Sequence, residues 1–258
     1  MIRLVISPAY QKYNKDFRSI PKWMAEGKGE IVHEGRNSVR KFLINNQLFM
    51  VKRFKRVNQI QSIAYSLFRK TKAERAFIYA EAYRKRGIDT PKEVAFIEIR
   101  NNWGWFRDGY FISLVSPNPP VFPLLEQTDK YEHQLVNDLA NMVFKMHQAG
   151  ILNKDLNLGN FLYQKKEGKY YFTMVDINRT TLVNKVPNEN KRLKNLCTIT
   201  CKQDLFQNLL DSYLAISEKD SNTVQNLREI GIKYWGKRQE WIQLKSKFKS
   251  VIKSFKLK

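Results

Sequence analysis

The sequence predicts an α+β protein in two lobes, an antiparallel strand-rich half followed by a mainly helical half. Three observations carry this. Short apolar runs separated by turn signals crowd the chain before residue 116. Helical periodicity dominates beyond residue 131. Between them Pro117, Pro119, Pro120 and Pro123 break regular structure, which places one lobe over 1–116 and the other over 117–258.

Residues 1–26 read as irregular and aromatic-rich. Glu30-Ile31-Val32-His33-Glu34 is the first strand-like run, and Gly35-Arg36-Asn37-Ser38 is a turn. A second strand over 39–44, the hairpin signal Asn45-Asn46 and a third strand over 48–54 follow. Ile60, Ile63, Ala64, Leu67 and Phe68 share one helical face. A second helix opens at Thr71-Lys72-Ala73-Glu74, a capping box. It buries Ala73, Ala76, Phe77 and Ala80 and stops near Gly87. Strands near 93–100 and 109–115 complete an expected five-stranded sheet with this one key helix.

The second half opens with a helix over 131–148, whose stripe is Leu135, Leu139, Met142, Val143 and Met146. A loop over 150–160 leads to a hairpin formed by 161–163 and 170–175. Helices return over 189–217 and 223–258. Cys197 and Cys201, i and i+4 on the first of these, read as two half-buried thiols.

The composition narrows the partners. The 258 residues are 43% hydrophobic, enough for a core, and carry a net charge of +22. Such a chain seeks polyanions: nucleic acid, an anionic membrane face or phosphorylated substrates. Two cysteines make no disulfide framework, and the three histidines follow no zinc spacing. No apolar run approaches the roughly 20 residues of a membrane span. The N-terminus does not read as a signal peptide, so a reducing, cytoplasmic location is expected. There is no reading helix or stacking sheet for nucleic acid, and none is expected as a partner.

The chemistry gathers in three places. Asp155 and Asn160 lie five apart on the loop between the 131–148 helix and the short hairpin. Asp176 follows a hydrophobic strand, and Lys52 sits inside an earlier apolar strand. Phosphoryl transfer from ATP needs such groups, because its transition state spreads negative charge over phosphate oxygens. A carboxylate and an amide carbonyl suit magnesium. A second carboxylate takes the acceptor's proton, and a lysine on a rigid strand grips the phosphates. Each feature taken singly has a plainer account: turn capping for Asp155 and Asn160, an edge-strand lysine for Lys52. Their order along the chain favours the phosphoryl-transfer reading.

In these motifs the chain resembles the lipopolysaccharide kinase family, the Kdo and heptose kinases of protein-kinase-like fold, over roughly residues 28–215. The resemblance implies roles: Lys52 for the nucleotide phosphates, Asp155 as catalytic aspartate, and Asn160 and Asp176 as magnesium ligands. Val175-Asp176-Ile177-Asn178-Arg179 resembles the family's Ile-Asp-x-Asn-Arg form, and residues 86–98 resemble its link from the first-lobe helix to the fourth strand. The chain departs from the pattern at Asn153-Lys154-Asp155, where His-x-Asp is usual. Its nucleotide loop lacks a full Gly-x-Gly-x-x-Gly, so backbone amides with Gly35, Arg36, Asn37 and Ser38 would cover the phosphates. Glu74 and Glu81 flank the position expected for the acid that steadies Lys52, with Ile78 between them, and Glu74 is favoured. His147 caps or packs the end of its helix. Asn178 and Arg179 order the loop, with Arg179 on a carbonyl or an acid, or contact the acceptor.

The last 26 residues form a basic amphipathic helix. Lys233, Lys237, Arg238, Lys245, Lys247, Lys249, Lys253, Lys256 and Lys258 face Glu240 alone, and Trp241, Leu244, Phe248, Val251, Ile252 and Phe255 recur at helical spacing. It is either a last packed helix with a solvated lysine face or a docking element for an anionic membrane, joined there by the basic stretches 52–56 and 69–86. The resemblance implies transfer of the ATP γ-phosphoryl to Kdo or heptose of the lipopolysaccharide inner core or its lipid-linked precursor. The enzyme would then be peripheral on the cytoplasmic face of the inner membrane. Two alternatives remain: a protein or small-molecule kinase of the same fold, and an inactive kinase-like basic binding protein.

Overall fold

The computed structural model describes residues 1–35, 37–54 and 70–255, with side chains through residue 248. The helical face from Ile60 to Phe68, Arg36, and the side chains of Val251, Ile252 and Phe255 lie outside the described residues. The chain divides into two compact units. One comprises Met1–Pro117 and Val175–Asn178, the other Asn118–Met174 and Arg179–Lys258.

The first unit is built on six antiparallel strands, not the five expected. The strands are β1 (Ile2–Ile6), β2 (Glu30–Glu34), β3 (Ser38–Ile44), β4 (Gln47–Phe54), β5 (Glu93–Arg100) and β6 (Phe106–Leu114), in the order β1-β5-β6-β4-β3-β2. The extra strand comes from the segment expected to be irregular. Ile2 to Ile6 pair with Ile99 to Ala95 of β5. A 3-10 turn over Pro8–Tyr13 then leads into helix α1 (Asn14–Ala25). Phe17, Ile20 and Met24 of α1 are buried, and Phe17 and Tyr13 close on Phe49 of β4 edge to face.

Strand alternation sends Phe49 and Val51 toward α1 and Phe54 to the opposite face, where helix α2 (Lys72–Lys85) packs. Lys52 shares parity with Phe54 and lies on the α2 side. The Thr71 hydroxyl accepts the Glu74 N–H at 3.2 Å, the expected cap, and Gly87 ends the helix region at φ +74. Ala73, Ala76 and Ala80 let α2 lie close to the sheet. A Cβ on Gly109 of β6 would come within 3.2 Å of the Ala73 methyl. Asn45 and Asn46 both take positive φ in the β3–β4 turn, as a two-residue type I′ hairpin requires.

In the second unit helix α3 (His133–Gln148) buries Leu135, Leu139, Val143 and Met146, and also His147. Strand β7 (Ile151–Asn153), the hairpin β8 (Phe161–Lys166) and β9 (Lys169–Met174), and β10 (Thr180–Leu182) follow. β7 and β10 pair with Asn153 opposite Thr180. Helices α4 (Glu189–Leu196), α5 (Gln203–Ala215) and α6 (Ser221–Phe255) complete the unit. The single helical stretch expected over 189–217 is thus two helices. Cys197 caps the end of α4 and is buried, whereas Cys201 is exposed in the connection, so the two thiols share no helix face. Burial pushes the Cys197 thiol up to about 12, which keeps it protonated.

Among the described residues, helix α6 packs by its first half. A Cβ on Gly231 would lie 2.9 Å from Leu210, and Trp235 stacks on Phe206 at 5.6 Å. Farther along, Trp241, Leu244 and Phe248 are 59%, 64% and 72% exposed. Among the described residues, no helix is long and apolar enough to cross a membrane.

Candidate functional site

The four residues singled out for chemistry fall two and two. In the first unit, β4 presents Lys52, and its Nζ lies 2.7 Å from Oδ2 of Asp176. The pair joins positions remote in the chain, and both side chains are largely buried. Asp176 sits two residues beyond the end of β9 at φ +52, a left-handed conformation that aspartate tolerates better than most residues. The Asn178 side-chain amide donates to its other oxygen, Oδ1. Both carboxylate oxygens therefore have fixed partners.

The glutamates expected to steady Lys52 have other partners. Glu74 forms an ion pair with Arg3 at 3.5 Å, and Glu81 one with Lys85 at 2.7 Å. Arg3 belongs to β1, the strand that sequence reasoning missed. It also reaches the fully buried Glu98 at 3.2 Å, and Glu98 accepts from the Thr71 hydroxyl at 2.7 Å. The start of α2 is thereby tied to the β1 edge of the sheet. In the β2–β3 turn, the Ser38 hydroxyl donates to Glu34 at 2.9 Å. Gly35 and Asn37 lie in that turn; Arg36 lies outside the described residues.

In the second unit the loop after β7 is held by side chains at nearly every step. Asn160 and Asn157 donate from their amide nitrogens to the Asp155 carbonyl at 2.8 and 3.0 Å. Five-residue spacing thus brings the Asn160 side chain back onto the Asp155 backbone through its amide nitrogen, so its amide oxygen takes no part in that bond. The Thr198 hydroxyl donates to the Leu156 carbonyl at 2.8 Å, and Leu158 N–H to the Ile199 carbonyl at 3.1 Å. Leu156 and Leu158 anchor the loop in the core.

Because Asn153 faces Thr180 across the β7–β10 ladder, Arg179 arrives beside the loop. Its carbonyl accepts the Lys154 N–H at 3.0 Å, and its guanidinium lies 3.5 Å from Oδ2 of Asp155. The expected acid partner of Arg179 is therefore Asp155 itself. Asn153, which stands in place of the usual histidine, is fully buried, and its Oδ1 accepts the Asp155 N–H at 2.8 Å. Sequence reasoning missed Asn195 and Thr198, which brace this loop from α4 and the turn after it. No local signal marks them.

Hard oxygens suit magnesium: the Asp176 carboxylate and the Asn160 amide oxygen are the donor types it takes. It commonly uses one or two protein ligands and completes its shell with phosphates and water. A cluster of three or more acidic, histidine or cysteine ligands is not needed, and the described residues hold none.

His147 packs rather than caps, as one of the two expected readings had it. Burial pushes its imidazole down from the ordinary 6.5 to about 4, so it is neutral in the fold. The unfolded chain takes up that proton below about pH 6.5. This contribution to stability is therefore complete above pH 6.5 and is lost as pH falls toward 4. The interval is worth about 3 kcal/mol. Urea unfolding between pH 6.5 and 4.5 is expected to show stability falling with pH more steeply in the wild type than in His147→Gln. Equal slopes would refute this assignment.

Comparison with known proteins bears on the family and the fold. A profile of the lipopolysaccharide kinase (Kdo/WaaP) family matches residues 22–225. Among solved structures, one described as WaaP in complex with acyl carrier protein aligns at 16% identity with a TM-score of 0.55. The alignment covers 90% of this chain and 99% of that one. A divergent Toxoplasma kinase lacking the glycine-rich loop aligns at 10% identity and a TM-score of 0.45, over 88% of this chain and 82% of that one. No curated protein matches. The fold is protein-kinase-like, a six-stranded antiparallel sheet with a helical C-terminal region, and the chain belongs to the lipopolysaccharide kinase (Kdo/WaaP) family.

Proposed function

We propose that this protein transfers the γ-phosphoryl group of ATP to a hydroxyl of Kdo or heptose in the lipopolysaccharide inner core or its lipid-linked precursor. Family membership supports a phosphotransferase that uses ATP. The observation that carries the site assignment is the 2.7 Å contact of Lys52 with Asp176, which joins the two phosphate-side groups nominated from sequence.

In this reading Asp155 accepts the proton of the sugar hydroxyl as its oxygen bonds to the γ-phosphorus. The bond from that phosphorus to the β-bridging oxygen breaks, and ADP leaves. Asn160 and Asp176 hold magnesium, which when bound neutralises phosphate charge. Lys52 grips the phosphates, and the backbone of the Gly35–Ser38 turn covers them. Arg179, 3.5 Å from the catalytic carboxylate, aims it. Glu74 serves the nucleotide site only through the placement of α2. Incubation with labelled ATP and a panel of lipid-linked sugar acceptors, followed by mass analysis of the product, tests the reading. Phosphate on a core sugar is expected; labelling of none of them overturns it.

A lipid-linked acceptor places the work at the cytoplasmic face of the inner membrane. The exposed Trp241, Leu244 and Phe248 beside Lys237, Lys245 and Lys247 support docking of α6 on an anionic surface. Each basic residue near such a surface adds about 1 kcal/mol. Sedimentation with phosphatidylglycerol-containing vesicles is expected to be strong at low salt and weak at high salt. Replacing the three apolar residues by alanine should cut it at least tenfold. Equal binding by that variant, or by purely zwitterionic vesicles, would count against α6 as the docking element.

A further inference from the structure

The buried and half-buried polar groups behind the Asp155 loop form a chain that the proposed chemistry does not itself use. We propose that Tyr213, His147, Asn195 and Asn153 act as a directional hydrogen-bond relay that positions Asp155. The inference deepens the kinase reading and rests on it for its activity readout.

The relay is contiguous. The Tyr213 hydroxyl lies 2.7 Å from Nδ1 of His147, and Nε2 lies 3.1 Å from Oδ1 of Asn195. Nδ2 of Asn195 donates to the Asn153 carbonyl at 2.6 Å, and Oδ1 of Asn153 accepts the Asp155 N–H at 2.8 Å. Helices α5, α3 and α4, the end of β7 and the loop each contribute one member.

The direction of every bond follows from its ends. A carbonyl can only accept, so the Asn195 nitrogen faces Asn153 and its oxygen faces His147. That oxygen also only accepts, so Nε2 carries the imidazole proton. Nδ1 is then a bare acceptor, and Tyr213 must donate to it. The Arg192 guanidinium beside Tyr213, which can only donate, agrees with this direction. Burial keeps both ring systems neutral: His147 falls to about 4 and the Tyr213 phenol rises to about 12. Aligned donors and acceptors strengthen one another in a low-dielectric interior, and a fully satisfied network rigidifies what it holds.

The two ends have different jobs. Asn195 fixes the carbonyl that terminates β7, and Asn153 fixes the N–H of the residue two positions on. Together they hold the backbone on which Asp155 stands. The usual histidine at position 153 is absent, and here an imidazole six residues upstream, at the end of α3, supports the same loop from behind. None of the three outer members touches the reacting atoms, so they are positioning residues. Displacement of a catalytic group by about an ångström can cost on the order of 10²-fold in rate.

The test compares His147→Leu, Asn195→Ala, His147→Gln and Tyr213→Phe in the full-length protein. His147→Leu and Asn195→Ala are expected to lower kcat 10- to 100-fold with the KM for ATP within about threefold. His147→Gln, whose amide can still donate to Asn195, should recover most of that loss. Tyr213→Phe removes one hydroxyl and is the mild variant, expected to cost several-fold in kcat; it carries the test where the larger changes prevent folding. Leu139→Ala, in the same core but outside the relay, is the control; at an equal drop in Tm it should leave kcat near wild type.

A second readout does not need activity. The Asp155 amide proton should exchange slowly in the wild type and at least tenfold faster in Asn195→Ala and His147→Leu, but not in Leu139→Ala. Unchanged kcat and unchanged exchange in folded relay variants overturn the relay. Equal losses in Leu139→Ala overturn it as well. A wild-type protein that shows the exchange pattern but transfers no phosphate would refute the kinase reading while leaving the relay standing.

Discussion

Replacing Asp155 by alanine is expected to lower kcat for phosphoryl transfer by about 10³-fold while ATP affinity stays within about threefold. The loop should survive the change. Its N–H is held by Asn153, and its carbonyl by Asn157 and Asn160; all three bonds go to the Asp155 backbone and are kept by alanine. What disappears is the carboxylate and its 3.5 Å contact with Arg179, a partly exposed pair of little worth to stability. The loss is therefore chemical. Steady-state rates with the sugar acceptor, alongside calorimetric titration of ATP, separate the two quantities. Full activity in a folded Asp155→Ala protein would remove the aspartate from the mechanism.

Asp176 is expected to fail differently. Saturating ATP with magnesium at about 100 times Kd stabilises a protein by about 2.7 kcal/mol, a Tm rise of about 5–10 °C for a chain of this size. Asp176→Asn should lose the magnesium-dependent part of that rise. Asparagine is the cleaner substitution because it accepts the left-handed backbone at φ +52, so charge is removed without adding strain. It also leaves the Lys52 ammonium without its 2.7 Å counter-charge, so the ligand-free variant should melt lower than the wild type. Thermal shift with ATP, with and without magnesium, measures both effects. An undiminished magnesium-dependent shift would take Asp176 out of the metal site.

Features with a local cause were legible in the sequence. The Asn45-Asn46 turn, the β5 strand over Glu93–Arg100 and the start of α2 at Thr71 each follow from a few adjacent residues. The Asp155–Asn160 spacing was readable for the same reason, since its hydrogen bond closes within one loop. What depends on distant partners was not. β1 is five residues long and finds its ladder nearly a hundred positions away, where Ile2 faces Ile99. Prolines at 8 and 21 disguised the segment around it, although Pro21 lies within α1. Missing β1 meant missing Arg3, and with it the true partner of Glu74. The sequence also marked Lys52 and Asp176 separately, but not their contact, because nothing local records which carboxylate a lysine will meet. Asn195 is a surface-looking residue in a polar helix, and only the fold turns it toward Asn153.

Gly231 has a mechanical consequence. The approach of α6 to α5 is set there by a hydrogen atom, with both Leu210 methyl groups only 2.9 and 3.1 Å from where a Cβ would stand. From this fulcrum to Phe255 the helix runs about 36 Å, so a tilt of about 10° at the pivot sweeps the far end through about 6 Å. A single methyl group at the pivot therefore either displaces the buried Leu210 or swings a long lever, and the aim of the three exposed apolar side chains on that arm is decided well upstream of them.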